Sequence, residues 1–239
     1  MDIVTITPRY VLTAKAEGLS PKTINHTLGV VRYFAKFSGG IEDVRKVTAD
    51  DLRRFSASLQ DKRRWSERPN VKVQSAISKT SINTYVRAIK AFWSWMQLQG
   101  IITHNPLAEV SAPKIPKRLP KILTEDELRA LFRISLSDRD RALLMLLLDS
   151  GIRLTELANL RFDDADLKND VVSVIGKGDK QRHVFISTDT AIWLTIYTCE
   201  ERPDSQLSNQ FFLTNDGYTL TASRIQKILE IIGRKARLK

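Results

Sequence analysis

Apolar positions recur at helical spacing through the first hundred residues and switch to near-continuous β-branched runs after residue 170. Ser20 followed by Pro21 marks a helix start, a cap with proline at the first helical position. Ile24, Leu28, Val31 and Phe34 then form one stripe that stops at Gly39 and Gly40. Thr48 with Asp51 resembles a capping box ahead of the inward-facing Leu52, Phe55 and Leu59. A further helix is predicted from about Ser78 to Gly100, with Ile82, Tyr85, Ile89, Phe92, Trp93 and Met96 on its core face. In "LTEDEL", Thr124 caps a helix whose first turn is acidic, as the helix dipole favours. Leu143, Leu144, Leu146, Leu147 and Leu148 read as a buried helix broken by Gly151, and Leu154, Leu157 and Leu160 restart an apolar face. Arg153 stands on the corner between them.

Two runs, Val171 to Ile175 and His183 to Ile186, flank "GKGDKQ" and predict a β-hairpin. A phosphate-binding loop is excluded there, because the Gly-x4-Gly-Lys-Ser/Thr spacing is missing and a strand follows. "FFLTNDGYTL" suggests a short strand and a turn at Gly217, before a last helix with Ile225, Ile228, Leu229 and Ile232 aligned. Pro106, Pro113, Pro116 and Pro120 fall in quick succession, and proline both removes a donor and disfavours helix in the residue before it. The expected organisation is a helical module over 1–112, a linker over 113–120 and a mixed module over 121–239. The expected fold class is mainly α with a small β-sheet.

Charge changes this picture. The net charge of +11 lies wholly in the first half: residues 1–120 hold 20 basic and 9 acidic residues, and residues 121–239 hold 18 of each. That asymmetry points to a basic module facing a polyanion. Lys22, Asn25, Arg32 and Lys36 share one helix face, and Lys79, Asn83, Arg87, Lys90 and Ser94 share another. Such residues neutralise phosphates and read base edges, which makes double-stranded DNA the expected partner; the alternative reading is an ordinary solvated face, as most charged helix faces are. Lys62, Arg63, Arg64, Arg68 and Lys72 form a basic loop around Trp65. Cys199 is the only cysteine and His26, His104 and His183 are scattered, so neither a disulfide nor a metal site is expected. The longest apolar run, Ala142 to Leu148, is too short to cross a bilayer, and no signal segment or lipidation motif is seen; the cytoplasm is the expected compartment and no membrane partner is expected.

"GIRLTEL" with "GKG" placed 24 residues after Arg153, together with "LTEDEL" and the proline-rich linker, resembles the tyrosine recombinases, the phage-integrase and Xer-like DNA strand transferases. The resemblance spans essentially the whole chain. It implies a helical core-binding domain of the SAM-like type, followed by a catalytic domain of the DNA breaking-rejoining type. It implies that Arg153 is a catalytic arginine, Glu156 the acidic residue beside it and Lys177 the hairpin lysine. Lys180 and Arg182 would contact DNA from the same hairpin. The implied reaction is site-specific recombination through a 3′-phosphotyrosine link, with no metal or nucleotide cofactor, and with other recombinase protomers on the DNA. The residue types suit it: a guanidinium meets two phosphoryl oxygens without losing its proton, whereas a lysine can give one to a departing 5′-oxygen.

The pattern also departs from the family. None of the three histidines begins a His-x-x-Arg: three residues on stand Gly29, Leu107 and Ile186. Tyr218 precedes the last helix and reads as a turn residue. The expectation is therefore a truncated member that binds DNA and lacks the nucleophile; the alternative is a non-catalytic DNA-binding or regulatory protein derived from a recombinase.

Overall fold

The computed structural model describes residues 1–61, 76–115, 119–176, 178–204 and 207–238. The basic loop around Trp65 and the hairpin lysine Lys177 lie outside them. The chain divides into two compact units, Met1–Leu119 and Pro120–Lys239.

The first unit is helical: α1 (Ile3–Ala16), α2 (Pro21–Phe37), α3 (Ala49–Asp61) and α4 (Lys79–Leu98). Ser20 and Ser78 cap α2 and α4 with their side chains, and Thr48 and Asp51 cap α3 reciprocally, hydroxyl to amide and carboxylate to amide. α1 was not expected. It buries Ile3, Ile6, Tyr10 and Ala14, but the exposed Val4 and Leu12 on its other face and Pro8 within it blur the stripe in the sequence. α2, α3 and α4 meet in an aromatic core, where the fully buried Phe34 lies edge-on to Phe55 at 5.3 Å and to Trp93 at 5.7 Å between ring centroids.

A strap runs from Asn105 to Pro113 along α4. Asn83 donates from Nδ2 to the Pro113 carbonyl at 2.8 Å, and Lys90 donates from Nζ to the carbonyls of Ala108 and Val110 at 2.8 and 2.7 Å. Asn105 donates to Ser94 Oγ at 3.0 Å and accepts the Leu107 N–H, while Leu107 and Val110 plug into the core. The chain between α4 and the second unit is thus docked as far as Pro113. Lys90→Met removes two charge-assisted bonds, so hydrogen exchange over 107–111 should quicken roughly ten- to a hundredfold, as about 1.5–3 kcal/mol implies. Unchanged protection would mean that the apolar plugs alone hold the strap.

The second unit holds α5 (Glu125–Phe132), α6 (Asp138–Ser150), α7 (Leu154–Asn159), α8 (Thr188–Ile196) and α9 (Ala222–Lys235), around a three-stranded antiparallel sheet in the order β1 (Ala165–Asp166), β2 (Val171–Ile175), β3 (Gln181–Phe185). Thr124 and Glu127 close the capping box that "LTEDEL" suggests. Val172 and Val174 point from the sheet into a core with Leu143, Leu146, Leu157, Leu194, Tyr197, Phe211 and Phe212. β3 begins two residues earlier than the apolar run, because Gln181 pairs with Ile175 and backbone pairing extends through polar positions. In place of the short strand expected within "FFLTNDGYTL", the described residues show single bridges, Arg161 to Gln210 and Leu213 to Thr219.

Candidate strand-transfer site

Gly151 ends α6 in the left-handed region at φ 60°, donating its N–H to the Leu147 carbonyl. A side chain is strained in that conformation, so the chain leaves α6, buries Ile152, and starts α7 within two residues. Gly151→Ala should cost about 1–2 kcal/mol, visible as a lowered denaturation midpoint of the second unit. Arg153 is the residue this turn places ahead of α7, with extended backbone at ψ 150°.

Arginine has no acceptor to cap a helix with, and the carboxylate of Glu156 caps in its place, accepting the Arg153 N–H at 2.8 Å. Glu156 is 5% exposed, and its two oxygens take three further bonds. Oε1 accepts from Arg153 Nη1 and from Arg182 Nη1, both at 2.9 Å, and Oε2 accepts from Arg182 Nη2 at 2.8 Å. Arg182 lies on β3, 26 residues from Glu156, so this pair pins the hairpin to α7. The bonds from Arg182, with those from the backbone and side chain of Arg153, outweigh the cost of burial and hold the Glu156 carboxyl down to about 2. The hairpin tip is closed by Gly176 N–H to the Lys180 carbonyl at 2.8 Å, and Gly178 adopts φ 77°.

The structure thus brings together Arg153, Glu156 and Arg182, with Lys180 exposed at the tip of the same hairpin. The result is an arginine on an exposed corner, 68% exposed at its side chain, fixed from below by a buried carboxylate. Arg182, expected to contact DNA, has both arms of its fork on Glu156. Asn83 and Lys90, expected on a DNA-reading face of α4, donate to the strap. Lys22, Asn25, Arg32 and Lys36 on α2, and Lys79 and Arg87 on α4, are all exposed, and none of the cations among them pairs with a carboxylate of the described residues. The role of Gly176 was not read from the sequence. A Cβ there would lie 3.2 Å from Glu156 Oε1 and 3.3 Å from Arg182 Nη1, so a side chain at this position would crowd the pair through space and not through φ.

A helical unit with an exposed basic helix face is followed by a unit whose hairpin is latched through Glu156 to a corner arginine. The phage integrase family model matches residues 121–239. Tyrosine recombinase XerC of Oceanobacillus iheyensis is 31% identical over 231 residues, covering 92% of this chain and 72% of the relative. Tyrosine recombinase XerD of Listeria monocytogenes is 29% identical over 231 residues, covering 92% and 73%. Among solved structures, a lambda integrase dimer bound to a core site is similar at a TM-score of 0.75 with 14% identity, covering 100% of this chain and 80% of that one. The Tn1549 transposon integrase in complex with circular intermediate DNA matches at 0.70 with 18% identity, covering 97% and 78%. These two likenesses show the fold. The chain belongs to the tyrosine recombinases.

Proposed function

We propose that this chain binds double-stranded DNA and holds a scissile phosphate in site-specific recombination, and that the attacking tyrosine is not one of the five it contains. The observation that carries the reading is the exposed Arg153 guanidinium anchored on the buried Glu156. In the reaction the family performs, a tyrosine oxygen bonds to phosphorus, the bond from phosphorus to the 5′-oxygen breaks, and that oxygen takes up a proton. A fixed guanidinium stabilises the phosphoryl oxygens as charge builds on them, and because its position is set beforehand no reorganisation is needed at the moment of reaction. Lys177 is the proposed proton donor, as a lysine near phosphate can give up its proton where an arginine cannot.

The tyrosines support the second half of the proposal. Tyr10 and Tyr197 are core residues, and Tyr197 accepts the Leu213 N–H while burial pushes its phenol up, against what an attacking oxygen needs. Tyr33 and Tyr85 belong to the aromatic cluster of the first unit. Tyr218 sits in the turn from Thr214, its N–H bonded to Thr214 Oγ1. Incubated with a nicked duplex bearing a site the chain has enriched from a random-sequence library, the 239 residues should bind and leave no detergent-resistant adduct. An adduct mapped to any of these tyrosines would overturn the assignment, and failure to enrich any site would overturn DNA recognition itself.

The first unit supplies most of the affinity in this reading, since it holds the whole charge excess. Log affinity should fall with log salt by roughly 0.9 per neutralised phosphate, and Lys22→Ala, Arg32→Ala and Lys36→Ala should each remove close to that amount from the slope. A slope unmoved by all three would make the α2 face a solvated one.

A further inference from the structure

The bonds onto Glu156 are shared unequally. Arg182 takes both oxygens with its fork, whereas Arg153 reaches the carboxylate with one side-chain nitrogen, Nη1 on Oε1, its remaining bond being from the backbone N–H. Left alone beside a carboxylate, a guanidinium prefers the two-bond arrangement. Here the second oxygen is already filled, and among the described residues no acceptor engages Arg153 Nε or Nη2. The exposures follow the same order: 68% for the Arg153 side chain, 41% for Arg182 and 3% for Glu156.

Charge makes the point more strongly than geometry. An arginine paired only with Glu156 would present a nearly neutral pair to a phosphate, whose own charge the buried carboxylate would repel. Arg182 cancels that carboxylate, and the cluster of two guanidiniums and one carboxylate keeps one net positive charge, at Arg153. Gly176 belongs to the same arrangement, because a Cβ at that position would press on the bond between Arg182 Nη1 and Glu156 Oε1.

We propose that Arg182 is a positioning residue for Arg153: by occupying and neutralising Glu156 it holds Arg153 to a single side-chain bond and leaves the rest of that guanidinium turned outward for the phosphate. This rests on the reading of Arg153 as a phosphate contact. It gives a β3 residue control over the corner before α7, and it gives the fork of Arg182 a role on Glu156.

A double-mutant cycle in the full chain tests this, with affinity measured on the duplex the chain enriches from a random library. Arg182→Met removes both charge and fork, and should weaken binding about tenfold, one charge-assisted hydrogen bond. Arg182→Lys keeps the charge and loses the fork, should preserve the fold, and should weaken binding less. In an Arg153→Ala background both losses should shrink below about twofold. Equal losses in the two backgrounds would mean that Arg182 contacts DNA itself, and the proposal would fall. A second readout needs no DNA: in nitrogen-15 spectra of the arginine side chains, Arg182→Lys should slow rotation of the Arg153 guanidinium as the vacated oxygen becomes its partner. An unchanged Arg153 signal would also overturn the proposal. Should Arg153→Ala alone leave affinity unaltered, the phosphate reading fails, and the spectra still decide whether Arg182 governs Arg153.

Discussion

Glu156→Gln is expected to cost the second unit about 3 kcal/mol near neutral pH. A carboxyl held at about 2 in the fold against 4.5 in the open chain is worth about that much, at about 1.4 kcal/mol per unit. The amide keeps the volume of the carboxylate but loses its charge, and its nitrogen is a donor facing donors from Arg153 and Arg182. The loss stays near the low end for a broken buried pair because both arginines retain water, at 68% and 41% exposure. The sign with pH follows from the depressed value. The stabilisation is present in full above about pH 4.5 and is lost as pH falls through 2, so the parent and Glu156→Gln should converge in stability on acidification. Urea midpoints of the two proteins at pH 7 and pH 3 check this. A gap that does not narrow by pH 3 would show that the carboxylate is not held by its arginines.

Phe34→Ala should destabilise the first unit by about 3–5 kcal/mol, the range for deleting a fully buried aromatic ring whose cavity cannot collapse. The ring lies between Phe55 of α3 and Trp93 of α4, so three helices lose contact at once. Function should follow, because α2 carries Phe34 on one face and Lys22, Asn25, Arg32 and Lys36 on the other. Tryptophan fluorescence during urea unfolding reads the stability, and affinity for the enriched duplex reads the loss of the presented face. Binding that survives while the helices loosen would show that affinity does not depend on the face α2 presents.

The sequence by itself determined the hairpin and every α-helix but α1 and α8, since periodicity, caps and glycines act within a few residues of one another. Ser20, Ser78 and Thr124 each cap a helix where the sequence places one, and Gly151 ends α6 where the leucine run stops. It also placed the arginine-bearing and lysine-bearing segments and their spacing, because "GIRLTEL" and "GKG" are contiguous strings. α1 escaped it because a proline and two exposed apolar residues mask a four-residue stripe. Only the tertiary structure decided which polar side chains face outward. Lys90 and Arg87 stand on one helix face in the sequence, but a strap 18 to 20 residues downstream covers Lys90 and leaves Arg87 exposed. Arg182 alternates with its neighbours like any strand residue, and nothing local tells that a carboxylate 26 residues earlier is buried beneath it. Hydrogen bonds are satisfied by proximity in space, and a buried carboxylate takes whichever cations the fold brings within reach; the pairing at this corner is therefore a property of the packed chain and not of its order.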